Sequence, residues 1–152
     1  MRKLSLAFIL LALSVVVAFA KAPSIVSKPI ELDAAEFIKK VHDFKKSPNQ
    51  FIYVGDKPAI IDFYATWCGP CKQLAPTLEA LAAEYSNEIY IYKVDVDKES
   101  DIARAYGINS VPSLLFIPHD DDAVPQMGQG NIPKESLKKV IDEFMLGKEV
   151  AE

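Results

Sequence analysis

Apolar residues change period several times between residues 30 and 146, and each change marks an element. Ile30-Glu31-Leu32 reads as a short strand. Asp33-Ala-Ala-Glu36 then has the layout of a capping box, with Asp33 as N-cap and Glu36 reaching back. Phe37, Ile38 and Val41, with Phe44 just after, recur at helical spacing and predict an amphipathic helix over residues 34–45, ended by Ser47-Pro48-Asn49. A brief apolar run, Phe51 to Val54, is closed by Gly55-Asp56 and Pro58. Ala59 to Ala65 is apolar on both alternations except at Asp62, the pattern of a central strand covered on both faces. Leu74, Leu78, Leu81 and Tyr85 predict a second helix, which Pro76 should kink by removing one backbone bond.

Ile89 to Val96 is a further strand, with Tyr90, Tyr92, Val94 and Val96 on one face and Lys93 interrupting the other. Residues 98–106 form a short helix that Gly107 is placed to cap. Leu114–Ile117 and Val124–Gly128 read as a hairpin around His119-Asp-Asp-Asp122, a solvated acidic tip without the ligand pattern of a calcium loop. Leu137, Val140, Ile141 and Phe144 stripe a last helix, with Pro133 in its first turn. The order β-α-β-α-β-α-β-β-α implies an α/β fold, a mixed sheet sandwiched by helices.

The start of the chain follows a different pattern. Arg2 and Lys3 precede an apolar stretch from Leu4 to Val17, and Ala18-Phe19-Ala20 supplies small residues for cleavage. That is the layout of a secretory signal peptide over residues 1–20, against the alternative of a retained anchor, and it predicts an extracytoplasmic address, the periplasm in a Gram-negative cell. Residues 21–29, with Pro23 and Pro29, read as a linker, and residues 147–152 as a C-terminal tail. Cleavage would leave 132 of the 152 residues, one domain with a real core; losing Arg2 and Lys3 takes 17 basic residues to 15 against 21 acidic, a net charge of −6. That balance favours neither nucleic acid nor an anionic membrane surface.

The chain has two cysteines, Cys68 and Cys71, in Thr66-Trp-Cys-Gly-Pro-Cys-Lys72. A bridge over so short a loop constrains little of the unfolded chain, so a site that opens and closes is the better reading than a structural staple. Placed between a strand and a helix start, Cys68 meets unpaired N–H groups and the helix dipole, which favour a thiolate. Gly69 would allow the tight turn, Pro70 fits the first turn, and Cys71 would be the more buried, resolving thiol. Zinc wants four ligands, and beyond the cysteines there are only His42 and His119, both read as surface histidines, so no metal site is expected.

Asp62 lies six residues before Cys68 on the strand feeding that turn. Burial should raise its pKa, and from there it can reach the sulfur pair from behind; otherwise it caps a local backbone group or faces solvent. Trp67 suggests an exposed contact for a partner, with core packing as the bland alternative. Pattern alone makes Val111-Pro112 an ordinary trans bond at a strand start.

At this point the chain resembles the thioredoxin family over about residues 30–146. The resemblance is carried by Ile61-Asp-Phe63, Ala65-Thr-Trp-Cys-Gly-Pro-Cys-Lys72, Pro76, Lys93-Val-Asp-Val-Asp97, Tyr106-Gly-Ile108, Val111-Pro-Ser113 and Gly130. It implies a thioredoxin fold, a central mixed sheet flanked by four helices, and a protein disulfide oxidoreductase with a redox-active Cys68–Cys71 disulfide. It makes Cys68 the nucleophile, Cys71 the resolving thiol, Asp62 the buried proton acceptor, Lys93 the lysine near that acid and Pro112 a cis-proline facing the thiols. Trp67, Gly69, Pro70, Val111, Pro112 and Gly130 would line the surface where a substrate strand docks.

Three departures stand out: Tyr64 where many relatives have Trp, a longer segment from Ser47 to Asp56, and polar Gln129 and Asn131 beside Gly130. The Gly-Pro pair between the cysteines is the family's reducing variant. The resemblance therefore implies a monomeric reductant of exported proteins, with no cofactor because the sulfurs carry the electrons, re-reduced by a membrane-embedded or other thiol reductase. An oxidase or isomerase on the same fold and a non-catalytic binding module are the rival readings.

Overall fold

A computed structural model describes residues 27–118 and 123–149. The signal-peptide reading of residues 1–20, most of the linker, the acidic hairpin tip with His119 and the last tail residues lie outside the described residues.

Five strands form one sheet in the order β1-β3-β2-β4-β5: β1 (Ile30–Glu31), β2 (Ala59–Tyr64), β3 (Tyr90–Asp95), β4 (Ser113–Ile117) and β5 (Gln126–Gln129). β3 runs parallel to β1 and β2, whereas β4 is antiparallel to both β2 and β5, so the sheet is mixed as the element order implies. The helices are α1 (Ala34–Lys40), α2 (Gly69–Glu84), α3 (Ser100–Ala105) and α4 (Lys134–Lys139), the last continuing as a π-helical segment, Val140–Met145.

Alternation along the strands splits the core in two. Ile60, Ile91, Leu114 and Phe116 pack with Leu74, Leu78, Leu81, Leu137 and Ile141 from α2, α4 and the π-helical segment. Ile61, Phe63, Tyr92, Val94, Leu115 and Ile117 pack on the other side with Phe37 of α1 and Ile102 of α3. Asp62 is in phase with Ile60, so it falls on the α2 side of a strand whose first five residues are all buried.

Several boundaries differ from expectation. α1 ends at Lys40, not residue 45: the N–H groups of Val41 and His42 both bond to the Phe37 carbonyl, and Val41 then accepts the Val54 N–H. Phe44 is buried all the same, because the chain turns back over its own helix. The capping box is half formed. Asp33 accepts the Glu36 N–H at 2.8 Å, but the Glu36 carboxylate pairs with Lys40, and Glu99 supplies the acceptor for Ala34 N–H at 3.0 Å. α2 is continuous through Pro76. α3 closes on Gly107 at φ +62°, with Ile108 N–H on Ala103 and Gly107 N–H on Arg104, a Schellman arrangement.

His42 is not a surface residue. It is buried, its Nδ1 lies 3.1 Å from the Ile52 carbonyl and 3.2 Å from the Ile52 nitrogen, and it packs with Phe51 and Tyr106. Either neutral tautomer finds a partner there, so the 47–56 segment folds down as the lid of this ring cluster.

Candidate active site

The turn after β2 delivers both cysteines to the start of α2, where they are disulfide-bonded with Cα atoms 5.3 Å apart. Cys68 is the N-cap residue, and its Sγ accepts the Cys71 N–H at 3.1 Å. This places a sulfur on the unpaired N–H groups of the first turn, where negative charge is stabilised. Pro70 lies in the first turn, where a missing N–H leaves no bond unmade.

Gly69 is not needed to make the turn. It does not share the positive φ of Gly107, Gly130 and Gly147, and a Cβ there would meet nothing within 4 Å. A side chain at position 69 would point into open space. Nor is Cys71 the more buried cysteine, since Cys68 is 3% exposed and Cys71 5%. Ala65 and Val111 cover the pair, and Cys68 Sγ touches the Val111 carbonyl at 3.6 Å.

The Val111–Pro112 bond is cis, against the reading from pattern alone. The Pro112 carbonyl accepts the Gly130 N–H at 2.9 Å, and Gly130 adopts φ +84°, a conformation that glycine holds without strain. Asn131 next to it donates to Gln73 of α2 at 3.2 Å. Trp67 is 69% exposed, its indole N–H held by Asp97 Oδ2 at 2.8 Å. Trp67, Val111, Pro112 and Gly130 thus come from three separate stretches of chain around or beyond the disulfide turn.

Asp62 is 3% exposed, and its Oδ1 has no hydrogen-bond partner among the described residues. It borders a cavity of about 240 Å³ shared with Tyr64, Ala65, Thr66, Cys71, Lys72, Ala75 and Lys93. Burial pushes its pKa up to about 7, a rise that Lys93 opposes and Glu31 assists. Lys93 is the register partner of Asp62, yet the ion pair it makes is with Glu31 Oε2, at 3.9 Å. Sequence reasoning missed Glu31, because nothing local marks a strand residue that meets its partners from distant segments.

Among the described residues no group of three or more His, Cys, Asp and Glu side chains is placed to hold a metal ion, and no helix is long and apolar enough to cross a membrane.

The comparisons with known proteins agree with this geometry. The thioredoxin family profile matches residues 34–143. The chain belongs to the thioredoxin family. It is 45% identical over 115 residues to a thioredoxin of Borreliella burgdorferi, covering 76% of this chain and 96% of that protein. It is 36% identical over 113 residues to the chloroplastic M-type thioredoxin of Spinacia oleracea, covering 74% and 61%. A crystal structure of chloroplastic thioredoxin z superposes with a TM-score of 0.63 at 26% identity, covering 81% of this chain and 99% of the other. Family membership and the Cys68–Cys71 pair make the protein a thioredoxin-type disulfide oxidoreductase.

Proposed function

We propose that the chain is an exported reductant of protein disulfides, working through Cys68 and Cys71. The observation that carries this reading is the redox pair at the N-cap of α2, with an unpaired buried acid on the same cavity as Cys71. In the reduced protein the Cys68 thiolate attacks a substrate disulfide. One S–S bond forms, the substrate bond breaks, and the first substrate sulfur leaves as a thiolate that takes a proton from water. Asp62 accepts the Cys71 proton, directly or through a water in the cavity. The Cys71 thiolate then attacks Cys68, re-forming the Cys68–Cys71 bond and expelling the second substrate sulfur as a thiolate, which takes a proton from Asp62 or from water. Two electrons pass from protein to substrate.

An acid titrating near 7 suits this step, being able to accept a proton and return it at neutral pH. Trp67, Gly69, Pro70, Val111, Pro112 and Gly130 make the docking surface, with the cis-proline segment meeting an extended substrate backbone. Gln129 and Asn131 give that surface a polar rim. The exported address rests on residues 1–20. In an oxidising compartment the protein needs a donor of two electrons, a membrane-embedded or other thiol reductase.

Reduction of a protein disulfide by the purified domain tests the reading. Cys68→Ser should abolish turnover, Cys71→Ser should accumulate mixed disulfides, and the reduction potential should fall near the thioredoxin value of about −270 mV. A potential near about −120 mV would instead make the chain an oxidase. N-terminal sequencing of exported material tests the address, and a retained Met1 start would contradict cleavage.

A further inference from the structure

β1 contributes a charge to the Asp62 face that the reaction scheme above does not use. Glu31 is the register partner of Lys93, and Lys93 of Asp62, so negative, positive and negative side chains stand in one row across three adjacent strands. Neighbours in such a row share a face of the sheet. Lys93 is therefore the cation between two carboxylates, and its position decides which of them it serves.

The contacts favour Glu31. Lys93 Nζ lies 3.9 Å from Glu31 Oε2 and 4.2 Å from the centroid of the Tyr64 ring. The Tyr64 hydroxyl donates to the other carboxylate oxygen, Glu31 Oε1, at 2.8 Å. Glu31 of β1 and Tyr64 of β2, bonded to each other, bracket the ammonium of Lys93 on β3. Tyr64 and Lys93 both line the cavity on which Asp62 and Cys71 also open. Asp62 Oδ1 is left with no hydrogen-bond partner among the described residues. The bond to Glu31 depends on the Tyr64 hydroxyl, which a ring without that group would not make.

We infer that Glu31 and Tyr64 are positioning residues for the proton-transfer step: the Tyr64 hydroxyl fixes Glu31, and Glu31 with the Tyr64 ring holds the Lys93 ammonium away from a full ion pair with Asp62. This rests on the reductase reading of the same site. Direct pairing with Lys93 would commit Asp62 to its charged form, since an opposite charge within about 4–6 Å lowers a carboxylate pKa by about 1–3. Glu31 is half exposed and Lys93 about one quarter exposed, so the effect is smaller than for a sealed pair. The titratable and charged groups around Asp62 are Lys93 and Glu31 from β3 and β1, Tyr64 of β2, Cys71, Lys72 and Glu79 of α2, and Lys28 ahead of β1. Cys71 does not titrate in the oxidised protein, which is therefore the form to use.

The test is a carbon-13 NMR titration of the Asp62 carboxyl in the oxidised full-length chain. Glu31→Gln should lower the midpoint by about half a pH unit. Tyr64→Phe should lower it by less, and the double variant should match Glu31→Gln alone, because the hydroxyl acts through Glu31. In a Lys93→Met background the Glu31→Gln effect should shrink by at least half. An unmoved midpoint in Glu31→Gln, an additive double variant, or full persistence without Lys93 would each overturn the inference. Glu31 is exposed, so its variant still decides the matter should Tyr64→Phe fail to fold. The titration requires no turnover. Failure of this inference would leave the Cys68→Ser result standing, and loss of the reductase reading would leave the titration readable.

Discussion

Asp62 and Asp95 are the same residue type with the same burial, each 3% exposed, on neighbouring strands of one sheet. Their surroundings are opposite. Asp95, at the end of β3, accepts the Asp97 N–H at 3.1 Å and pairs with Lys98 at 3.4 Å. Its backbone carbonyl takes the N–H groups of Lys98 and Glu99, so the residue ties down the turn into α3. Asp62, in the middle of β2, leaves Oδ1 unpaired beside a cavity that reaches Cys71. Burial alone therefore does not distinguish structure from chemistry. A buried carboxylate whose bonds are made holds a loop; one left unmade next to a redox pair is free to exchange a proton.

The sharpest way to break this comparison is the same substitution at both sites. With Asp62 raised to about 7 from 3.8, the folded protein binds this proton more tightly than the unfolded chain. The associated stability is fully present below the unfolded value, falls as pH rises from about 4 to 7, and is absent above that. Asp62→Asn should therefore stabilise the oxidised protein at pH 8 by up to about 4 kcal/mol, and by little at pH 4, measured by denaturant unfolding. Asp95→Asn should have the opposite sign at pH 8, costing about 1 kcal/mol through its weakened bonds to Asp97 and Lys98. Equal signs for the two variants would end the distinction.

His42 supplies an intermediate case, a buried polar group satisfied by the backbone. Its replacement by Phe should cost about 1–2 kcal/mol by leaving an Ile52 group unpaired, with disulfide reduction unchanged. Trp67→Ala should have the smallest effect on stability, within about 0.5 kcal/mol, because the ring is mostly exposed. It should raise KM for protein disulfides several-fold while leaving small-molecule disulfides unaffected. A loss of stability without that difference would make Trp67 a packing residue.

The order of elements along the chain and the two-sided core are legible because the apolar period switches cleanly, and Asp62 is visible as the one polar residue in a strand buried on both faces. The readings that failed share a cause. Phe44 keeps helical phase after the backbone turns at Val41, so the apolar pattern overstates the length of the first helix. His42 looked like a surface histidine because its partner, Ile52, arrives from a segment with no periodicity. Glu31, Tyr64 and Lys93 meet across three strands, and the cis bond at Pro112 entered through family resemblance rather than pattern. Sequence shows what a residue is and how its own element is phased; which distant groups satisfy it is settled by packing.

The central claim is that Asp62 is the proton acceptor for Cys71. Its most direct measurement is the pH dependence of single-turnover oxidation of the reduced protein at saturating disulfide, compared between the wild type and Asp62→Asn. The account predicts a rate that rises through about pH 7 in the wild type, and an Asn variant slowed about 100-fold that lacks this inflection. Superimposable profiles would show that Cys71 loses its proton without Asp62 and would contradict the account.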